Sequence, residues 1–180
     1  MPPRPIALCL TLGLLGCHAP APLHPEFLPL LDSIDQRLDL ASSVAAHKWD
    51  KRLPVEAPER EQQVLSNVRE MASDYGLSPE RATAFFTDQI EANKLIQHTL
   101  LDQWTLLGER PPAAQLDLTR QIRPRLDKLQ ATLLRQLARL DQQEQHNCPQ
   151  KLAYALSQQT SDPLRHQALV RATTQLCVNR

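Results

Sequence analysis

The sequence has little glycine, no excess of charge of either sign and no long hydrophobic run. Only four of its 180 residues are glycine, and its 20 Lys and Arg balance 20 Asp and Glu. A balanced charge offers no basic surface for nucleic acid and no acidic tail. The apolar run IALCLTLGLLG has eleven residues, which is too short to cross a bilayer as a helix. Scarce glycine with abundant Leu, Ala, Gln and Arg is typical of a helical protein.

The sequence motifs of hydrolases are also absent. There is no GxSxG, no HExxH, no glycine-rich phosphate loop and no Cys–His pair with catalytic spacing. His47, His98, His146 and His166 are scattered, and we interpret them as surface residues. Without a nucleophile or a poised base, a catalyst must be built from fixed cations and amides and must work by positioning and electrostatics.

The apolar run follows Arg4 and predicts a signal peptide over residues 1–22. It ends in LLGC, Leu14–Cys17, which resembles a bacterial lipobox in which Cys17 would be lipidated. Cleavage after Ala21 would instead leave a free periplasmic protein. Both alternatives predict an exported protein, periplasmic or secreted, and only lipidation of Cys17 would place it on a membrane.

Export changes the interpretation of the four cysteines. Cys9 and Cys17 belong to the predicted signal, which leaves Cys148 and Cys177 as the pair in the mature chain. An even number of cysteines in an oxidising compartment predicts a disulfide. A metal-binding or redox-active pair is the weaker alternative, because the chain has no CxxC and no histidine at ligand spacing.

Apolar periodicity predicts an all-α protein, a single-domain bundle of five to six helices. Helices are predicted over about 29–53, 58–74, 79–104 and 115–145, with two short helices after Cys148. Ser78 and Pro79 suit the N-cap and first turn of the third helix. Pro124 should kink the fourth helix or mark its true start. GERPPAA separates residues 23–104 from 105–180, two halves of one domain.

Three of these helices turn cations or amides toward their own apolar faces. The first carries Arg37 and Lys48 there, the second Arg60 with Glu61 at the edge, and the third Gln89, Asn93 and Gln97. Any one of them could pair locally or extend its polar end to solvent. Together, three inward cations face one obvious carboxylate, and Lys and Arg are rarely buried unpaired. The pattern predicts a pocket within the bundle for a small polyanionic ligand.

Three segments carry a resemblance to a known family. IDQRLDLASSVAAHKW, LPVEAPERE and FFTDQIEANKLIQ closely resemble the all-α chorismate mutases, in particular their exported (gamma) subclass. The similarity covers about residues 30–104, and the signal peptide and late cysteine pair fit the same subclass. It implies the conversion of chorismate to prephenate by an intramolecular Claisen rearrangement, without cofactor, metal or covalent intermediate. It also implies a homodimer.

The same resemblance implies a role for each inward polar residue. Arg37 would bind a substrate carboxylate, and Lys48 would meet the ether oxygen and the enolpyruvyl carboxylate. Gln97 would donate a second hydrogen bond to that oxygen. The supporting residues would be Arg60 to hold the charged pocket, Glu61 to take the ring hydroxyl and Asn93 to support a carboxylate.

The chain departs from the family at two positions. Ala57 stands where family members often have Asp, so one polar contact near the hydroxyl is missing or comes from the backbone. The subclass can also supply an arginine from its C-terminal half, but the best-aligned position in this chain is Thr132, which cannot replace it. Arg123 is the candidate substitute, because it lies nearer the inward face than Arg125 or Arg135. Two other functions stay open at this point: an inactive exported protein that binds a small dicarboxylate, and a helical lipoprotein with a structural role.

Overall fold

A computed structural model of the chain describes residues 24–112, 116–143 and 146–178. All regular secondary structure in these residues is helical, which confirms the predicted class. The elements are α1 (Leu28–Lys51), α2 (Pro58–Met71), a 3-10 turn (Ala72–Tyr75), α3 (Pro79–Leu107), a π-helical turn (Leu118–Ile122), α4 (Arg123–Asp141), α5 (Cys148–Gln159) and α6 (Pro163–Ala172). The predicted signal peptide at 1–22, with Cys17 and Ala21, lies outside the described residues.

The starts of α3 and α4 follow from their local sequences. The Ser78 hydroxyl accepts a hydrogen bond from the Arg81 N–H at 3.1 Å, so Ser78 is the predicted N-cap. Pro124 lies in the first turn of α4 and marks its true start, because proline lacks the N–H that an interior position needs. The predicted start near residue 115 was wrong, since a π-helical turn precedes α4. Its predicted end near 145 was also too late.

Helices α1 and α3 form the centre of the bundle and run in the same direction. Asn93 of α3 contacts the Arg37 carbonyl of α1, and further along both helices Trp49 packs edge-on against Trp104 at 5.9 Å between ring centroids. The other helices pack around this pair, with α2 and α6 against α3 and α4 against α1. One apolar core draws residues from all six helices. Within the described residues, no helix combines the length and apolarity needed to cross a membrane.

The C-terminal turn after α6 is held to the bundle by covalent and polar contacts. Cys148 and Cys177 form the predicted disulfide, with 5.7 Å between their Cα atoms. The Arg81 guanidinium bonds to both oxygens of Asp141 at 2.9 Å and donates to the Leu176 carbonyl at 2.9 Å. Buried Asp88 accepts the Gln175 N–H at 2.8 Å. These polar contacts do not depend on the disulfide.

Reduction of the disulfide should lower the melting temperature by about 10 °C and leave the turnover rate at 25 °C within about twofold. The two cysteines are 29 residues apart, and closing a loop of that length contributes about 3–4 kcal/mol on the chain-entropy model. In a protein of this chain length each kcal/mol shifts Tm by about 2–4 °C. Neither cysteine lines the candidate site described below. Calorimetry with and without reductant, and on the double variant Cys148→Ser, Cys177→Ser, measures the shift. An unchanged Tm would contradict it.

Candidate active site

A pocket lies between α1, α2, α3 and α4, closed on one side by the loop that joins α1 to α2. It holds about 700 Å³ of space not occupied by atoms, part of it open to solvent. All seven residues that the sequence predicted for the site line it: Arg37, Lys48, Arg60, Glu61, Asn93, Gln97 and Arg123. The fold therefore brings into one cavity the site residues predicted on the inward faces of the first three helices, together with Arg123.

Arg37 is a buried cation on the α1 wall of the pocket. Its side chain is 7% exposed and its Nε has no hydrogen-bond partner among the described residues. Burial and, to a smaller extent, the charge of Arg60 lower the pKa of Arg37 to about 10, although Asp127 acts in the opposite direction. At neutral pH the guanidinium remains charged. A buried charge with an unused donor is poised to bind an anion.

Lys48 lies about three turns further along α1 and is also 7% exposed. Its Nζ donates to the main-chain oxygen of Val55, in the loop between α1 and α2. Burial lowers the pKa of Lys48, while Glu61 and Glu56 act in the opposite direction. An ammonium has three donors, so the bond to Val55 leaves others for a ligand.

A backbone N–H and a lysine hold the Glu61 carboxylate in place at the pocket. Glu61 accepts the Ala57 N–H at 3.0 Å, so the backbone of Ala57 makes a polar contact where its side chain cannot. The other Glu61 oxygen lies 3.5 Å from the Lys94 Nζ, which also bonds to Glu91 at 2.9 Å. These contacts, that with Glu91 foremost, raise the pKa of Lys94. Lys94 lines the pocket and was missed by the sequence analysis, because it lies at the edge of the apolar stripe of α3.

The two predicted amides of α3 bond to each other. Gln97 Nε2 donates to Asn93 Oδ1 at 2.7 Å and lies 3.3 Å from the Asn93 carbonyl, while Gln97 Oε1 has no partner. Gln89, which shares their spacing of four, does not line the pocket. Its Nε2 donates instead to the Ala172 carbonyl at 2.7 Å and joins α3 to α6. Gln89 shares the face of Asn93 and Gln97 but not their place in the pocket, because its amide contacts α6.

Helix α4 packs against α1 and lines another part of the pocket with Arg123, Leu126, Asp127 and Gln130. The spacing of three, four and seven residues places these side chains on one face. Within the described residues, the Arg123 side chain makes no hydrogen bond or ion pair. The sequence preferred it to Arg125 and Arg135, which are exposed and do not line the pocket.

Asp127 was missed entirely. It accepts a hydrogen bond from Arg60 Nη2, while Arg60 Nη1 donates to Gln63 at 2.8 Å. Asp127 and Arg60 are 67 residues apart in the chain, and only the tertiary structure brings them together. The spacing of Asp127 four residues after Arg123 was the available signal.

The charges of the described lining residues do not cancel. Five cations (Arg37, Lys48, Arg60, Lys94 and Arg123) face two carboxylates (Glu61 and Asp127). Two further negative charges would bring the balance close to neutral, so the pocket suits a dianion better than a monoanion or a cation. In the described part of the chain no three His, Cys, Asp or Glu side chains cluster as metal ligands. None of the four histidines discussed above lines the pocket.

Comparison with known proteins agrees with this geometry. The model of the chorismate mutase type II family matches residues 29–98. A secreted chorismate mutase of Mycolicibacterium smegmatis is 33% identical over 134 residues, 74% of this chain and 74% of the relative. A secreted chorismate mutase of Mycobacterium tuberculosis is 30% identical over 141 residues, 73% of this chain and 70% of the relative. The chain belongs to the chorismate mutase type II family.

A solved structure extends this similarity beyond residue 98. Chorismate mutase from Burkholderia phymatum superposes with a TM-score of 0.81 and 40% sequence identity, and the match covers 86% of this chain and 97% of that one. The C-terminal half with α4, α5 and α6 is thus part of the shared fold. The α4 wall of the pocket belongs to the same architecture as the helices that the family model matches.

Proposed function

We propose that the pocket binds chorismate as a dianion and catalyses its intramolecular rearrangement to prephenate. The observation that carries this proposal is the placement of Arg37, Lys48 and Gln97 in one buried, cationic pocket. No base or nucleophile is needed, because the reaction breaks one C–O bond and forms one C–C bond within a single molecule. The protein accelerates it by holding the reactive conformation and by stabilising charge.

The two carboxylates of the substrate would be held by cations on different helices. Among the described residues, Arg37 on α1 has an unused Nε donor and Arg123 on α4 has no anionic partner. A bidentate guanidinium–carboxylate contact fixes orientation as well as adding affinity. Asn93 would support one carboxylate and Arg60 would add to the field of the pocket. Glu61, which Ala57 and Lys94 hold in place, would accept the ring hydroxyl.

Lys48 and Gln97 would act on the ether oxygen, where negative charge grows as the C–O bond breaks. The Lys48 ammonium keeps donors beyond its bond to Val55. Gln97 Nε2 carries two hydrogens, and its 3.3 Å contact with the Asn93 carbonyl is weaker than its 2.7 Å bond to Asn93 Oδ1, so the ether oxygen can compete for the second hydrogen. Donors aimed at charge that develops only in the transition state raise kcat rather than affinity alone.

We also propose that the protein is exported, with residues 1–22 as its signal peptide. The relatives named above are described as secreted, and the Cys148–Cys177 disulfide suits an oxidising compartment. Lipidation at Cys17 and a homodimer remain predictions. The mass of the protein recovered from the cell envelope distinguishes a lipidated Cys17 from cleavage after Ala21, and light scattering measures the dimer.

The decisive experiment incubates the purified protein, without its first 22 residues, with chorismate. We expect the enol-ether absorbance to fall and prephenate to appear, with no metal or cofactor added. Calorimetry on the same sample measures binding separately. Binding of chorismate without turnover would replace this proposal with an inactive dicarboxylate-binding protein, and neither binding nor turnover would leave only a structural role.

A further inference from the structure

Arg60 already has an acidic partner in the ligand-free pocket. Its Nη2 donates to Asp127 and its Nη1 to Gln63, so two of the five N–H donors of the guanidinium already bind protein groups. Arg37 and Arg123 differ, because Arg37 Nε has no acceptor and Arg123 has no ion pair within the described residues. The three arginines of the pocket are therefore not equivalent toward a ligand.

The Asp127 carboxylate can separate from Arg60 without becoming a buried, unpaired charge. Its side chain is 53% exposed while that of Arg60 is 22% exposed, so water can hydrate the carboxylate when the pair separates. Partly exposed ion pairs are weak, which makes such an exchange reversible. Asp127 is also close enough to interact with Arg37: it raises the pKa of Arg37, which burial and Arg60 lower.

We propose that Asp127 stands in for a substrate carboxylate on Arg60 and that a dianionic ligand displaces it. The Asp127 carboxylate has the charge and geometry of a ligand carboxylate, and it occupies an Arg60 donor that the ligand carboxylate held by Arg123 can also use. It keeps Arg60 oriented in the empty pocket and competes with the second carboxylate of the ligand. A monocarboxylate can bind Arg37 and leave the Arg60–Asp127 pair intact.

This inference rests on the proposed function only in that the pocket accepts a dianion. Its test is therefore a binding measurement that needs no turnover. The probes are benzene-1,3-dicarboxylate and benzoate, which share a ring and differ by one carboxylate. Calorimetry at low ionic strength gives both dissociation constants, because screening by salt weakens exposed charge interactions.

Asp127→Asn should tighten binding of the dicarboxylate by about threefold to tenfold, since it removes a competing charge near the ligand. Binding of benzoate should change by less than about twofold, because the Arg60 donors are not needed. If the protein turns chorismate over, KM should fall in the variant. Asp127 lies half-exposed on α4, so we expect the variant to fold normally.

Three comparisons distinguish this exchange from a general effect of charge. Asp102→Asn on the exposed face of α3 makes the same change in net charge away from the pocket, and should leave both constants unchanged. Asp127→Glu should restore wild-type affinities by restoring the pair. In an Arg60→Ala background, Asp127→Asn should lose its selective effect on the dicarboxylate.

Equal tightening of both probes, or tightening by Asp102→Asn as well, would overturn the proposal. Weaker dicarboxylate binding in Asp127→Asn would show that Asp127 positions Arg60 for the ligand and does not compete with it. Failure of the dicarboxylate to bind either form would overturn it too. If the wild type does not turn chorismate over but Asp127→Asn still selectively tightens binding of the dicarboxylate, only the proposed function would be contradicted.

Discussion

Lys48→Ala should lower kcat by about two to three orders of magnitude, equivalent to the 3–4 kcal/mol that one such donor typically supplies in the transition state. The ammonium is aimed at charge that exists only while the C–O bond breaks. The fold should survive, because burial lowers the pKa of Lys48 and a charge whose burial is unfavourable contributes little to stability. Saturating turnover assays and thermal melts of both forms measure the two effects.

Lys51→Ala is the matched control for this variant. Lys51 lies one turn further along α1, is exposed and does not line the pocket, so its removal should leave kcat within about twofold. Near-native turnover by Lys48→Ala would show that Lys48 does not touch the reacting oxygen. A large fall in melting temperature would attribute the loss of activity to unfolding through the Val55 contact.

Gln97→Glu should make activity depend on pH, with a loss of about two orders of magnitude at pH 8, as expected when an oxyanion donor is removed. An amide donates a hydrogen bond at any ordinary pH. A carboxyl group donates only when protonated, and as a carboxylate it would repel the growing charge on oxygen. Activity should therefore be retained in acid and fall as pH rises through the pKa of the new group.

The wild type provides the reference profile. Its activity should stay nearly flat from about pH 5 to 8, where none of the proposed groups has its ordinary pKa. Because burial lowers the pKa of Lys48, kcat/KM should fall at alkaline pH below the ordinary lysine value of 10.5, as the ammonium loses its proton. The fall in kcat should come at higher pH, because the bound dianion favours the charged form.

Gln103→Glu controls for adding a carboxylate to α3, since Gln103 is exposed and lies outside the pocket. It should keep the wild-type pH profile. Identical profiles for wild type and Gln97→Glu would show that Gln97 does not contact the reacting oxygen.

The amino-acid sequence by itself determined most of the part of the site that α1, α2 and α3 carry, with the exception of Lys94. Arg37, Lys48, Arg60, Asn93 and Gln97 could be predicted because a helix has a fixed period, and a cation on an apolar face needs an anion. The residue preferences of helix N-termini placed Ser78 and Pro79 at the start of α3. Periodicity describes one helix at a time, so it correctly gave a face for each residue and no partner.

The tertiary structure decided which element covers each part of those faces. Gln89 has the spacing of Asn93 and Gln97, yet α6 covers it and its amide binds the Ala172 carbonyl. The arrangement of α4 places Asp127, which the sequence did not indicate, in the pocket beside the predicted Arg123. Contacts such as Arg60–Asp127 join residues far apart in the chain, and no local pattern encodes that distance.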